Sequence, residues 1–582
     1  MDAIDWLHEV GAGPGSRVAV TLAPGAGFGL AIGEHRHAFP DPDPVAAVAR
    51  IESETGLRWC WWDRSTADVL VAGGVALTRC WDVLTVHRLL HGGWRTSIAE
   101  VWAGLHDLPL DRLPVEGQLD LLGSGGDDGD AEDPVRPDGH LKPDWIGGGW
   151  ATTLDRLARW AATADRAARR QDTLIDAAGD PARTRSAAHA ESIAEFLCAE
   201  LSAHGLPFDV AEAERIIGDA VGPRAIDERT EVEARAARDA EVLRHLGPGA
   251  SYDLRNPAEV KAMLRRASID VPDTRAWRLE RMQDAHPVVP ALLRWRKAER
   301  IATTYGYRWL DEHVGRAAAG GDRLRGEWTS SDGAAGRMTA SAGLHNLPTE
   351  MRSAVVADGG YVFVRADLGQ IEPRVLAAVS GDPALVAATT EADLYAPVAD
   401  RLRVTRDVAK VAVLGAMYGA TTGESAHALR GLEREYPSAM GFLADAAAAG
   451  QRGDDVFTIG GRRVRMWIDD TVDDEGRGDI DRARRVAAAR GRFARNAVIQ
   501  GAAAEFFKVW SIIVRARAAA LGGEVVLCLH DELLVHVPAD RADDATTLVD
   551  DALQEAAYRW SPNRDVRFVA DTSVITRWSD AK

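Results

Sequence analysis

Cysteine is scarce. Cys60, Cys80, Cys198 and Cys528 are the only four in 582 residues, and no two form a C-x-x-C pair. That argues against a disulfide framework or a cysteine zinc site and suits a reducing compartment. No run approaches the ~20 apolar residues of a membrane span. The N-terminus, MDAIDWLHEV, is acidic and lacks the basic-then-apolar order of a secretory leader. A cytoplasmic protein with no membrane contact is expected. An overall positive charge is also missing: 69 Lys and Arg face 88 Asp and Glu, a net charge of −19. Net charge alone does not exclude a polyanionic partner, because affinity follows where the cations lie. Acids concentrate in GGDDGDAEDP (125–134) and WIDDTVDDEG (467–476), and cations in LRRAS (264–268), LLRWRKAER (292–300) and DRARRVAAARGRFAR (481–495). Such basic tracts are either solvated helix faces or phosphate contacts.

What is present is ordinary globular composition, 46% hydrophobic and 27% charged. At ~150 residues per domain the length suggests about three to five units. Residues 1–120 alternate short apolar runs with Gly and Pro (VAVTLAP, FGLAIG, DVLVAGG) and read as strands with helices between them. Residues 121–148 read as a linker rich in Gly, Asp and Pro. From 150 to about 245 the pattern is helical. SIAEFLCAELSAHGLPFD (192–209) spaces Ile193, Phe196, Leu197 and Leu201 on one helix face, with Gly205 as a stop. Helical patterns also fill 255–315 and 393–450. YVFVRADLGQ followed by IEPRVLAAVSGD (361–382) reads as strand then helix, and EVVLCLHDELLVHVP (524–538) as strand, turn, strand.

Three places carry chemistry. Asp367 ends an apolar strand-like run, where an acid is exposed at a sheet rim; it also reads as a helix N-cap. Asp531 lies with His530 and Glu532 at the tip of an apolar hairpin that has no Gly or Asn in its turn, which is unusual turn chemistry. A plain polar turn is the other reading. Two carboxylates from separate strands of one sheet can bracket hard cations, and a pair of magnesium ions ~3.5–4 Å apart suits an in-line phosphoryl displacement. Third, RDVAKVAVLGAMYG (406–419) spaces Arg406, Lys410, Leu414 and Tyr418 four apart, on one helix face. Two cations, an apolar residue and an aromatic ring in that order suit a triphosphate with its base and sugar. An amphipathic helix with two snorkelling cations has the same pattern.

In sum these segments resemble family A DNA polymerases. DLGQIEPRVLAAVSGD (367–382) is similar to motif A, RDVAKVAVLGAMYG to motif B and LHDELLV (529–535) to motif C. GRMTASAGLHNLP (336–348), FTIGGRRVRM (457–466), RNAVIQGAAAEFFK (495–508) and WRKAERIATTY (295–305) resemble further segments in the family's order, and the likeness covers roughly residues 190–582. The resemblance implies a multidomain α/β and α+β chain: an RNase H-like N-terminal domain, then a right-hand polymerase. The implied divisions are 1–190 for a 3′–5′ exonuclease-like domain, 191–325 for the thumb, 326–384 for the first part of the palm, 385–495 for the fingers and 496–582 for the rest of the palm.

The resemblance further implies that Asp367 and Asp531 hold two Mg2+ ions, for which Mn2+ can substitute, with Glu532 beside them. Arg406 and Lys410 would contact the incoming dNTP, and Lys410 could protonate the leaving pyrophosphate. Glu372 would be the steric gate against a 2′-hydroxyl, with Tyr418 packed beside it. Gln370, Leu414, Tyr395 and His530 complete the nucleotide site. Arg337, Asn346, Arg492, Asn496, Gln500 and Arg296 would contact primer-template DNA. A nucleoid-associated monomer is the expected form. Departures from the family pattern fall at Leu414 (usually Phe or Tyr), Gly369 and Leu368 (Ser and Tyr), Pro373 (Leu), Tyr395 (often His) and His345 (Gln). They bear on nucleotide affinity and fidelity; none removes a metal ligand.

The resemblance is nearest to short actinobacterial members, which lack a 5′ nuclease. Editing by an RNase H-like domain needs a D-x-E on its first strand, and no such strand is found in 1–190. Glu52 and Glu54 sit near a helix end, and Asp82 reads as a helix cap or a remnant. A degenerate, supporting domain is expected. The competing readings are a non-catalytic DNA-binding scaffold on a polymerase fold and a 3′–5′ exonuclease acting through the N-terminal domain.

Overall fold

The computed structural model describes residues 2–93, 96–114, 132–316, 320–419, 425–467 and 480–581. The acidic stretches 125–134 and 467–476 lie mostly outside these. The chain divides into two compact units: residues 1–203, 327–339 and 364–574 in one, and 204–326, 340–363 and 575–582 in the other.

The first unit opens with a five-stranded sheet of β1 (Arg17–Ala23), β2 (Gly27–Ile32), β3 (His35–Pro40), β4 (Arg58–Trp61) and β5 (Cys80–Asp82). Their order is β3-β2-β1-β4-β5. The first three run antiparallel and β4 and β5 run parallel to β1. Strand alternation sorts its residues between two cores. Val18, Val20, Leu22, Trp59 and Trp61 pack with Phe196 on one face. Ala19, Ala31, Cys60 and Trp81 pack with Trp160, Ala161 and Ala164 on the other. Besides Trp81, the second face uses small residues, and helix α1 (Leu154–Asp176) comes closest at Gly29. A Cβ on Gly29 would stand 2.4 Å from the Leu157 carbonyl carbon. One expected strand is a helix: DVLVAGG belongs to Arg64–Ala72, whose first turn is capped by Asp63. Ala67, Leu70 and Val71 are buried on one helical face there, and a short apolar run does not distinguish the two states.

Helix α2 (Pro181–His204) ends where expected, with Gly205 at φ +72°. The expected division at residue 190 falls inside it. The later part of the unit is built on β6 (Tyr361–Leu368), followed by α3 (Ile371–Ser380), α4 (Tyr395–Leu402), α5 (Arg406–Tyr418), α6 (Pro437–Arg452) and α7 (Ile480–Ala518). Then come β7 (Glu524–Leu529), β8 (Glu532–Pro538), helix α8 (Ala542–Trp560) and β9 (Ala570–Ile575). The sheet order is β7-β8-β6-β9. One helix departs from the expectation that nothing reaches membrane length. Residues 481–521, which take in most of α7, contain an 18-residue window of mean hydropathy 1.4, and 83% of that window is buried within the protein.

A buried ionic network ties distant segments of this unit together. Lys508 on α7 donates to both carboxylate oxygens of Glu191 on α2, at 2.7 and 2.8 Å. Arg462, in the G-R-R segment, pairs with Glu191 at 2.7 Å and donates to Ser331 Oγ at 3.0 Å. Glu505, also on α7, accepts from the Thr458 hydroxyl and from the Gly460 amide at 3.1 Å. Burial alone would raise the Glu191 pKa, but Arg462 and Lys508 outweigh it and hold it low.

The second unit is a helical body of Val210–Val221, Glu228–Leu243, Pro257–Arg266 and Val288–Thr304, with a three-stranded sheet of Leu206–Phe208, Val314–Arg316 and Asp322–Leu324. Its core holds Val260, Met263, Leu264, Val289 and Leu292. Arg255 bridges Asp239 (2.8 Å) and Glu299 (2.7 Å), and Trp295 donates its indole N–H to Asp239.

Replacing Lys508 by Met leaves Glu191 with a single cation and should cost about 3–5 kcal/mol in urea unfolding. Arg452→Ala, which removes an exposed pair with Asp454, should leave the unfolding curve where it was.

Candidate active site

Asp367 lies within β6, so it does not cap the following helix. Gln370 precedes α3 instead, in the left-handed region at φ +55°. β7 and β8 pair with Leu529 opposite Glu532, which makes His530 and Asp531 the two residues of the turn. His530 has φ +58°. A left-handed conformation at a non-glycine residue is strained and is kept where the surroundings over-determine it. Because β8 neighbours β6, the Leu368 amide donates to the Asp531 carbonyl at 2.9 Å. The two aspartates therefore share one end of one sheet.

Their fields oppose one another. Burial, and then the Asp531 charge, push the Asp367 carboxyl up to about 6. Burial and Glu532 also push Asp531 upward. Carboxylates forced together in a half-buried place favour a divalent cation. Among the described residues no group of three or more His, Cys, Asp or Glu forms a closed metal cage. Two carboxylates at one end of a sheet are a donor set that would suit a hard cation, whose shell water and substrate phosphates would complete.

Two charged groups absent from the sequence-derived set belong to this cluster. Arg365 donates to Asp367 and to Glu532, each at 2.8 Å, and reaches Asp571 of β9 at 3.4 Å. A cation in the otherwise apolar YVFVRAD run, two residues from Asp367 and so on the same strand face, was the available signal. Asp571 had none, because nothing local sets ADTSVI apart.

A cavity of 270 Å³ adjoins the aspartates and is lined by Arg337, Gln370, Glu372, Tyr395, Leu414, Tyr418, Gln500, His530 and Asp531. The Tyr418 hydroxyl donates to Glu372 at 2.6 Å, and Arg337 meets the other oxygen of Glu372 at 3.4 Å. Tyr395 is buried, with the Arg406 guanidinium over its ring at 5.8 Å. Arg406 and Lys410 are exposed on α5 with Tyr418, and Leu414 is half-buried on the same row. Arg406 is engaged by Asp393, its Nε at 2.5 Å and its Nη2 at 3.3 Å. Gln370 donates to Asp393 at 2.7 Å and accepts from the Leu394 amide at 2.8 Å, so both ends of its side chain serve the protein.

A second cavity, of 300 Å³, is lined by Asp332, Arg337, Phe493, Asn496, Gln500 and His530 among others. Arg492 is exposed on α7, and its stem lies close enough to Gly419 that a Cβ there would meet it at 2.8 Å. Arg296 and Asn346 belong to the second unit. Arg296 is half-buried and donates to the Thr274 carbonyl; Asn346 is exposed, with its backbone carbonyl accepting from Arg300.

Arg374 of motif A was quoted in the sequence but given no role. It is buried, and its guanidinium donates to the carbonyls of Gly369, Thr389, Glu391, Ala392 and Arg567, with no carboxylate hydrogen-bond partner among the described residues. It fixes the loop that carries Asp393 and Tyr395 against the start of α3.

A sheet edge with two aspartates, flanked by a cationic helix face, is the arrangement of a nucleotidyl-transfer fold. Residues 254–580 match DNA polymerase family A, more than half of the chain, and the protein belongs to that family. A thermostable DNA polymerase I of Thermus filiformis is 31% identical over 337 residues, covering 52% of this chain and 38% of that protein. DNA polymerase I of Chloroflexus aurantiacus is 31% identical over 312 residues, 48% of this chain and 31% of its own length. That of Deinococcus radiodurans is 26% identical over 382 residues, 59% and 38%. The chain thus spans only about a third of the length of these relatives, 31–38%. Among solved structures, the POL domain of Pol1 from M. smegmatis, in complex with DNA primer-template and dNTP, has the same fold. Its TM-score is 0.68 at 20% identity, over 99% of this chain and 98% of that one.

Proposed function

We propose that the protein is a template-directed DNA polymerase that extends a primer 3′ end with dNTPs. The observation that carries this is the gathering of Glu372, Tyr418, Leu414, Gln500, His530 and Asp531 around one cavity, at the rim of the sheet that bears Asp367. Asp367 and Asp531 would hold the divalent ions, Mg2+ or Mn2+. Such ions, when bound, activate the primer 3′-hydroxyl and offset the charge of the triphosphate.

The chain's own residues do the rest. Arg406 and Lys410 bind the triphosphate, and Lys410 Nζ can give a proton to the leaving pyrophosphate. Glu372 and Tyr418 close the space that a ribose 2′-hydroxyl would need. Arg406 is held by Asp393 in this conformation, so the incoming phosphates must draw it away. That exchange of one anion for another makes α5 a closing element whose movement depends on nucleotide. The divisions named from the sequence (thumb, palm and fingers) are carried forward as part of this proposal.

The N-terminal layer supports the fold without editing. Its mixed sheet, order β3-β2-β1-β4-β5, suits an RNase H-like origin. Two of the three acids singled out there are already engaged: Asp82 caps the helix Val83–His91 and accepts from the Trp61 indole N–H at 3.0 Å, and Glu52 accepts from Trp59 at 2.8 Å, while Glu54 is exposed. Burial, then Glu195, push the Asp82 carboxyl up to about 7, against the pull of its capping bond from the Thr85 amide.

In a primer-extension assay with Mg2+ and dNTPs, wild type should extend along the template, and Asp367→Ala and Asp531→Ala should each lose roughly a thousandfold or more. Primer-template binding without any extension by wild type would instead favour a scaffold. Without dNTPs the 3′ end should stay intact; metal-dependent shortening abolished only by N-terminal substitutions would revive the exonuclease reading. Asp393→Asn, which frees Arg406 of its anion, should lower the dNTP dissociation constant several-fold, whereas Arg406→Ala should raise it by roughly tenfold or more. An unchanged constant in Asp393→Asn would show that the pair does not restrain nucleotide capture.

A further inference from the structure

Arg365 is out of place in a sheet core. Every other residue of Val362–Ala366 is apolar. Its guanidinium side chain is only 9% exposed. Burying such a charge carries a desolvation cost, and an apolar residue of similar size commonly packs as well or better. The strand backbone does not need it. What it provides is geometric: Nε faces Glu532, Nη2 faces Asp367 and Nη1 faces Asp571. One planar fork is therefore divided among three carboxylates contributed by three strands.

We propose that Arg365 is a resident counter-cation of the metal site, which holds Asp367 and Glu532 in place before divalent ions arrive and sets the affinity for those ions by competing for Asp367. This rests on the polymerase reading, because it takes Asp367 as a metal ligand. Arg365 is a positioning residue: it acts through the carboxylates. A guanidinium does not lose its proton in a protein, so the competition ends only by displacement. Asp367, Asp531, Glu532 and Asp571 together carry four formal negative charges, and Arg365 cancels one of them at hydrogen-bond distance. A dication approaching Asp367 meets that positive charge within a few ångströms. Removing it should strengthen ion binding by roughly tenfold for a partly solvated site. The same change leaves Glu532, which is 8% exposed, without its Arg365 ion pair, so the ion-free protein should be less stable and gain more from the ion. A merely structural Arg365 gives the opposite signature: the carboxylates splay when it is lost, and stability and ion affinity fall together.

The test is Mn2+ binding to the full chain, read by the electron paramagnetic resonance of free Mn2+, together with thermal unfolding with and without Mn2+. Neither needs catalysis. Wild type is compared with Arg365→Met, Arg365→Lys and Asp367→Ala. The expected result is an Arg365→Met dissociation constant for Mn2+ roughly tenfold below that of wild type, a lower Tm without metal and a larger rise in Tm on adding it. Arg365→Lys keeps the charge but not the fork and should bind Mn2+ as wild type does. Equal or weaker Mn2+ binding by folded Arg365→Met overturns the proposal. If that variant does not fold, Arg365→Gln, neutral but still a donor, is read by the same criterion. The two failures are distinguishable: Mn2+ binding that Asp367→Ala leaves untouched removes the metal assignment itself, whereas binding lost in Asp367→Ala but not tightened in Arg365→Met removes only the role of Arg365.

Discussion

Repulsion between carboxylates at one sheet edge is the constraint around which the catalytic half is built. Asp367 lies on β6 and Asp531 in the turn between β7 and β8, and they cannot relax apart, because the Leu368 amide donates to the Asp531 carbonyl and the hairpin turn has only two residues. The strain is visible in His530, a non-glycine residue in the left-handed region, and in the raised pKa of Asp367, which burial and Asp531 hold at about 6. A site that is uncomfortable without cations is prepared for them. The neighbouring helices make up the remaining shape: Tyr418 on α5 bonds Glu372 on α3, so the floor of the cavity is fixed by one hydrogen bond between two helices.

Holding that edge in place requires a rigid background, and much of it comes from far away in sequence. Glu191 lies in α2, Arg462 in the G-R-R segment and Lys508 in α7, yet the three charges meet in a fully buried cluster. Ion pairs of this kind add little net stability compared with apolar packing. Their geometric demand is strict, however, since any slip of α7 along its axis would strand Glu191. α7 also carries Asn496 and Gln500, which face the second cavity. The register of those side chains thus depends on the same contact that joins α7 to the N-terminal layer, which gives that layer a role without catalysis.

The sequence was legible wherever a short segment carried its own signal. The strand before Asp367, the hairpin around Asp531 and the four-residue spacing on α5 depend on local pattern alone, and the structure has each of them. The DVLVAGG run misled because four apolar or small residues in a row suit either state, and the decision lay with the Asp63 cap. Gln370, named for the nucleotide site, lines the cavity, but its polar atoms are spent on Asp393 and Leu394. Asp571, Asp393 and Arg374 stayed invisible as site residues for one reason. Each acquires its role only from partners distant in sequence, and no spacing rule reaches across such a gap.

The departures from the family pattern acquire a physical meaning together rather than singly. Tyr395 is buried, its pKa raised to about 12 by burial and by Glu372, so it remains a neutral phenol beside the cavity. It cannot offer a triphosphate the charge that a protonated histidine could. Its ring instead lies under the Arg406 guanidinium, and Asp393 holds the other side of that group. Leu414, in place of an aromatic ring, leaves the cavity wall apolar but lower. On the proposed reading, polar recognition of the nucleotide would thereby be concentrated in Arg406 and Lys410, and the shape of the sugar pocket in Glu372 and Tyr418. A site arranged this way would, on that same reading, depend more heavily on moving a single arginine than one with a second cation on the neighbouring helix, and the Asp393 contact with Arg406 would then govern access to it.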